Sequence, residues 1–237
     1  MTFDSTIRCS QNGLLPSVVC GDCIQVMRQM NDQGVDLVLT DPPYLVNYHD
    51  RSGRVVLNDA DQTWLKPAFV EAYRVLRNDH FMISFYSWTH ADKFLAAWRE
   101  AGFRAIGHLV FRKQYCSKSR FLGYQHEQAY LLAKGRPKLP AHPIPDVVEM
   151  RYSGNQLHPT QKPVSALWPL IQAFTQEGEL VLDPFCGSGS TGVAALLTGR
   201  NFLGVELDPK YHCVAQNRLA RRISAQQLSP FPIRSPF

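Results

Sequence analysis

The apolar run Val35 to Leu39 stops abruptly at Thr40-Asp41-Pro42-Pro43-Tyr44. A short continuous apolar run bounded this way reads as a strand buried on both faces, the kind found in parallel sheets covered by helices. The two prolines end it, because neither can donate to a ladder and each fixes its own φ. Asp41 and Tyr44 are thereby placed just past the carboxyl end of a strand, where open α/β sheets hold their ligands. The chemistry there suits a planar amino group on a ring. Asp41 can accept one N–H, the rigid Pro42 carbonyl can accept the other, and Tyr44 offers a stacking face. Two acceptors would localise the nitrogen lone pair that resonance otherwise spreads into the ring. Taken alone, the segment reads equally as a strand, a Pro-Pro turn and an Asp cap.

A second strand-to-turn stretch narrows the choice. Glu179-Leu180-Val181-Leu182-Asp183 runs into Pro184-Phe185-Cys186-Gly187-Ser188-Gly189 and a helix start at Thr191. Glycines let a backbone approach a bound group, and a helix start suits a carboxylate. Phe202 to Glu206 is a further strand, ending in an acid about 20 residues on, where an acid can take two ribose hydroxyls. Gly187, Gly189 and Gly192 have the GxGxxG spacing of a dinucleotide fingerprint, a weak signal by itself. No Lys-Ser/Thr pair closes it as a phosphate loop. A nucleoside that carries an amino-acid carboxylate and no pyrophosphate fits, and S-adenosyl-L-methionine is such a molecule.

The chain has 237 residues, 45% of them hydrophobic, and no Ser/Gly-rich linker. That suits one large α/β domain, expected over 17–223, with a loose N-terminal arm at 1–16 and a disordered tail at 224–237. A net charge of +5 suits a polyanionic partner. The polar Met1 to Ser10 is no signal peptide, and no window approaches the ~18 apolar residues of a membrane span; a cytoplasmic, nucleoid-associated protein is expected. Six cysteines are scattered, and Cys20-Gly21-Asp22-Cys23 has no second CxxC or CxxH. No metal site is expected, and the thiols should be free.

Periodicity predicts a strand at Ser17–Cys20, then a helix with Ile24, Met27 and Met30 on one face. It predicts further helices over Trp64–Leu76 and His90–Ala101, the latter capped by Gly102, and another at Val164–Phe174. Phe81–Phe85 reads as a strand, and Ala105–Phe111 with Gln128–Leu132 as an antiparallel pair at one sheet edge. The polar loop 45–61 follows the Asp41 turn and reads as a lid over the target base, with a disordered insertion as the alternative. Residues 112–157 are expected to form a recognition region. Within it Arg112, Lys113, Lys118 and Arg120 interleave with aromatics, a pattern suited to phosphates and bases; a solvated basic loop would look the same.

Four features in chain order now resemble the amino-group DNA methyltransferases: Gly21-Asp22-Cys23, Asp41-Pro42-Pro43-Tyr44, His158-Pro159-Thr160-Gln161-Lys162-Pro163 and Asp183-Pro184-Phe185-Cys186-Gly187-Ser188-Gly189. The likeness is to the group whose catalytic half precedes its cofactor half, which includes the cell-cycle-regulated adenine methylases. It implies a Rossmann-like, circularly permuted α/β fold, a mostly parallel seven-stranded sheet with helices on both faces. It implies that Asp41, Pro42, Pro43 and Tyr44 hold the target amine, with Asp41 also bordering the cofactor. Asp183, Pro184, Phe185, Gly187, Gly189 and Leu207 would line S-adenosyl-L-methionine, Glu206 would hold its ribose, and Thr160, Gln161 and Lys162 would close over its methionine end.

Such a sheet needs three strands on its cofactor side, and only two follow residue 179. Ser17–Cys20 is free to be the third, which would set Asp22 and Cys23 against the cofactor's adenine; the alternative is that Asp22 only caps its helix. The resulting reading is methylation of an exocyclic amine, adenine N6, in double-stranded DNA, with the base turned out of the stack. A cytosine-C5 enzyme would use a thiolate, commonly after proline, and the chain has no Pro-Cys pair. The alternatives are cytosine N4, an RNA adenine, a protein amide, or an inactive DNA-binding module. A homodimer and a cognate restriction nuclease are left open.

Overall fold

β2 (Val35–Thr40) is buried at all six positions and carries the Asp41 turn at its end. Its side chains alternate between two cores. Val38 packs with Met27, Phe69, Phe94 and Trp98 on one face, while Leu37 and Leu39 pack with Ile83, Leu170, Ala195 and Phe202 on the other. A strand with a core on each side needs apolar residues at successive positions, and each fully buried Leu or Val contributes ~1.5–3 kcal/mol.

The computed structural model describes residues 17–50, 53–118 and 121–228. The other strands are β1 (Ser17–Cys20), β3 (Leu76–Phe85), β4 (Arg104–Lys118), β5 (Gly123–Lys134), β6 (Val147–Met150), β7 (Leu180–Asp183) and β8 (Asn201–Glu206). The helices are α1 (Cys23–Arg28), α2 (Leu65–Val75), α3 (Ala91–Ala101), α4 (Val164–Phe174), α5 (Ser190–Leu197) and α6 (Pro209–Leu228). All strands join one sheet in the order β1-β8-β7-β2-β3-β5-β4-β6. β2 sits between β7 and β3, parallel to both. Residues of α1, α2 and α3 build the first core, and residues of α4, α5 and α6 the second. The layout is therefore a helix layer on each face of a mostly parallel sheet.

β1 pairs in parallel with β8, with Cys20 opposite Glu206. The N-terminal strand is thus the third strand of the cofactor side, as expected, and Gly21-Asp22 falls beside Glu206.

Three expectations are corrected. The sheet has eight strands, not seven, because β6 forms within the proline-rich stretch where no period is visible and pairs with β4. The β4–β5 hairpin is not at the edge: β5 lies between β3 and β4, and β6 is the outer strand. The hairpin is also longer than the apolar periodicity suggests, with strands of 15 and 12 residues. Its outer half pairs Arg112 with His126 and Ser117 with Tyr124, polar positions that carry no core signal. Finally, α6 runs to Leu228, past Ser224, where the disordered tail was expected to begin. The arm 1–16 and residues 229–237 lie outside the described residues. No helix among the described residues is long and apolar enough to cross a membrane.

Candidate active site

The carboxyl ends of β1, β8, β7 and β2 surround a cavity of about 920 Å³. Gly21, Asp22, Cys23, Phe185, Gly187, Glu206 and Leu207 line one part of it, and Asp41, Pro42, Pro43 and Tyr44 another. Tyr44 also borders a wider cleft of about 2210 Å³, with Trp88, Tyr115, Tyr124 and Tyr152 among its walls. The acid-Pro-Pro-Tyr turn therefore stands between the pocket at the strand ends and an aromatic cleft.

Asp41 is engaged on both oxygens. The Tyr44 hydroxyl donates to Oδ1 at 2.7 Å, and the Lys162 ammonium donates to Oδ2 at 2.5 Å. Lys162 lies 3.0 Å from Glu127 Oε2 as well, and its Nζ sits 4.8 Å from the Phe85 ring centre. Burial would depress this ammonium, but Asp41 and Glu127 hold it above the ordinary lysine value. Burial lifts the Asp41 carboxyl despite the pull of Lys162. Burial also opposes ionisation of Glu127, but there Lys162 wins and the carboxyl falls below its usual range. Burial and the neighbouring Asp41 push the Tyr44 hydroxyl well up, so it stays a donor. Tyr44, expected to offer a stacking face, also clamps Asp41 with its hydroxyl. Lys162, expected at the cofactor's methionine end, joins Asp41 to Glu127.

The segment after the turn is pinned over the cavity by Asp59, which is buried. Its oxygens accept the N–H groups of Leu45 at 2.8 Å and Tyr48 at 2.7 Å. Val46, Tyr48, Val55, Leu57 and Asn58 then line the cavity, so the segment covers it as a lid would. Arg54 donates to the Asn155 carbonyl at 3.1 Å, joining the segment to the loop before α4. That loop is internally tied: Ser153 donates to the Gln161 carbonyl and Gln161 Oε1 accepts from the Leu157 N–H. Gln161 is thus held in loop bonds, while Thr160 lines the cavity. His158 packs on Tyr211 at 4.3 Å. Burial, with Lys162 nearby, lowers it to about 4, so it is neutral near pH 7.

On the cofactor side, Glu206 accepts the Gly187 N–H at 2.8 Å and the Asp208 N–H at 2.9 Å. It ties the glycine turn to the end of β8, and each oxygen keeps a second lone pair for a hydroxyl. Asp22 does cap α1, accepting the Gln25 N–H at 3.0 Å, and it lines the cavity too. Pro184 and Leu207 line the same cavity. Asp183 accepts the Thr191 hydroxyl at 2.6 Å and the Phe185 N–H at 3.1 Å. Both bonds fasten the turn, and the residue borders the smaller cavity beside Asp41. Gly189 is also corrected. A Cβ there would sit 3.1 Å from the Ala215 Cβ of α6, so its open side faces a helix, and Gly187 is the turn glycine on the cavity.

Burial raises Asp183 to about 7. That lies above the ~3.9 of an unfolded Asp. The folded state therefore binds the proton more tightly, and stability should fall as pH rises from ~4 through 7. Asp183→Asn is expected to flatten this dependence, checked by the thermal midpoints of both proteins at pH 5 and pH 8.

The cations of the recognition strands differ. Arg112 pairs with Glu149 across β4 and β6, its Nε 2.7 Å from Oε1. Lys113 lies over the Tyr115 ring at 5.2 Å and lines the aromatic cleft. Lys118 ends β4, and Arg120 lies outside the described residues. Sequence reading missed Glu127 and Asp59. Both are single acids far along the chain from Asp41, with no local pattern to mark them. Asp36, His80 and Glu179 also meet, at the opposite end of the sheet. There Asp36 is taken up by Arg77 at 2.5 Å and the Leu180 N–H at 2.8 Å, which marks a structural ion pair.

A glycine turn after one central strand, an acid-Pro-Pro-Tyr turn after the next, and this strand order define a Rossmann-like methyltransferase. The chain belongs to the N6/N4 DNA methylase family, whose model matches residues 35–217. It is 55% identical over 207 residues to YubD of Escherichia coli (strain K12), a protein named as a methylase, covering 87% of this chain and 91% of that one. Among solved structures, the Thermus thermophilus protein TTHA0409 complexed with S-adenosyl-L-methionine superposes with a TM-score of 0.70 at 22% identity, over 88% of this chain and 94% of that one. PvuII DNA methyltransferase, cytosine-N4-specific, gives a TM-score of 0.71 at 16% identity, over 90% and 92%.

Proposed function

We propose that this chain transfers a methyl group from S-adenosyl-L-methionine to adenine N6 in double-stranded DNA. The observation that carries the reading is the position of Asp41-Pro42-Pro43-Tyr44 between the pocket at the strand ends and the aromatic cleft. The cavity fits the cofactor by its donor set. Glu206 has acceptor capacity for a diol, Asp22 stands ready for an amino group, and Phe185 and Leu207 offer apolar faces for a ring. When bound, S-adenosyl-L-methionine supplies an electrophilic sulfonium methyl. The chain supplies position and acceptors. A base turned out of the duplex reaches Asp41 through the cleft. There Asp41 and the Pro42 carbonyl accept its amino hydrogens, and Asp41 can take the proton that the nitrogen must lose. Pro43 stiffens the turn so that both acceptors hold their direction. The neutral His158 adds no charge beside the site.

The test is to incubate the protein with labelled cofactor and duplex DNA, then digest the DNA and separate its nucleosides. N6-methyladenine is expected. N4-methylcytosine would move the target base within the same chemistry, and label on RNA or protein alone would overturn the reading.

The strands of residues 112–157 are proposed to carry target recognition, with Lys113, Lys118 and Arg120 on phosphates. Replacing these three by Ala should lower the slope of log affinity against log salt by up to ~0.9 per lost contact. Titrations at several salt concentrations measure it, and an unchanged slope would assign these cations to solvent.

A further inference from the structure

The acceptor this chemistry needs is already filled. Tyr44 and Lys162 occupy the two Asp41 oxygens at 2.7 and 2.5 Å, so an amine reaches Asp41 only by displacing one of them. Lys162 is buried, its side chain 8% exposed. An ammonium released there has no water to move into and must find another anion. Glu127 is that anion. It projects from β5, an element separate from both partners, and its Oε2 lies 3.0 Å from Lys162 Nζ. Oε2 is buried and, among the described residues, meets no donor besides this ammonium, which leaves it capacity to take the ammonium fully. Glu127, Lys162 and Tyr44 all face the cleft from which a base would enter.

We propose that Glu127 is a positioning residue that receives Lys162 when the target amine takes its place on Asp41. The inference rests on the amino-methyltransferase reading above. With Glu127 present, the Asp41–Lys162 pair is a resting contact that substrate can open. Lys162 swings between two carboxylates, and the three groups together keep one net negative charge facing the incoming amine. Without Glu127, the ammonium has Asp41 as its one carboxylate partner and stays on it, closing the acceptor.

The test uses the full chain with Glu127→Gln, Glu127→Asp, Lys162→Gln and the double variant Glu127→Gln/Lys162→Gln, each checked for folding by its thermal midpoint. Glu127→Gln is expected to lower kcat by about tenfold or more, a change of ~1.4 kcal/mol in barrier, with the KM for S-adenosyl-L-methionine unchanged. The double variant should regain the rate of Lys162→Gln, because removing the cation frees Asp41. A merely structural Glu127 would give no such rescue. Should Glu127→Gln fail to fold, Glu127→Asp serves in its place, with a smaller loss expected. An unchanged kcat in the Glu127 variants, or a double variant no faster than Glu127→Gln, would overturn the proposal. A second measurement is independent of methyl transfer. In wild-type protein without cofactor or DNA, NMR couplings across hydrogen bonds from Lys162 Nζ should reach the carboxylate carbons of both Asp41 and Glu127. In Glu127→Gln they should reach Asp41 alone, with greater strength. An unaltered Asp41 coupling in the variant would overturn the shared-cation arrangement. Absence of methyl transfer by the wild type would instead overturn the functional reading and leave the NMR result standing.

Discussion

Asp41→Ala should reduce methyl transfer by at least ~100-fold, the usual scale for removing a group that handles the proton of a reacting atom, while S-adenosyl-L-methionine still binds. Asp41 borders the cofactor cavity, but its hydrogen bonds run to Tyr44 and Lys162. Groups on other strands are left to hold the cofactor: Asp22, Phe185, Gly187 and Glu206. The fold should survive, because Glu127 remains at 3.0 Å to pair with the Lys162 ammonium. Cutting a buried pair usually costs ~3–5 kcal/mol by stranding a charge, and here the second carboxylate prevents that. Calorimetric titration of the variant with cofactor, beside a DNA methylation assay, measures both halves. A folded variant that no longer binds cofactor would reassign Asp41 to cofactor binding.

How far the sequence could be read follows from where each signal is stored. β2 and β7 were legible because both of their faces are buried, so the apolar signal is continuous and the turn residues after it are distinctive. The placement of β1 next to β8 followed from counting strands, and the register of Cys20 against Glu206 bears it out. The outer half of the β4–β5 hairpin was not legible. Lys113, Tyr115 and Tyr124 line the aromatic cleft, and the run Lys-Gln-Tyr-Cys-Ser-Lys gives no core pattern. β6 was hidden for a related reason: three of its four residues are not buried, and prolines surround it.

The candidate site divides the same way. The groups carried on strand-end turns were found, since a turn compresses its chemistry into consecutive residues. The groups that hold those turns in place were not. Glu127 lies 35 residues before Lys162 (162 − 127) and meets it where β5 passes the loop before α4. Asp59 reaches back to Leu45 and Tyr48 across an irregular segment. Long-range polar partners of this kind depend on tertiary placement, and one chain read alone carries no local mark of them.

Gly189→Val separates a structural glycine from one that contacts the cofactor. Gly189 adopts φ 77° and ψ 30°, a left-handed conformation, as the residue that starts α5. A β-branched residue in that region costs ~1–3 kcal/mol, before any contact is considered. The added side chain would also begin 3.1 Å from Ala215 Cβ and 3.4 Å from Ala215 Cα. The backbone of α6 cannot step aside cheaply, because Arg218 on the same helix donates to the Ser188 carbonyl at 3.1 Å and to Ser190 Oγ at 3.0 Å. Overpacking of this sort typically adds another ~1–3 kcal/mol. The expected loss is therefore ~2–6 kcal/mol of folding stability, read from the denaturant midpoint. Gly189→Ala should lose less, since it adds a single methyl and avoids β-branching. Cofactor affinity, measured on the folded fraction, should change little, because the open side of Gly189 faces α6 and Gly187 borders the cavity. A Gly189→Val protein of full stability that binds S-adenosyl-L-methionine poorly would reverse this assignment and return Gly189 to the cofactor surface.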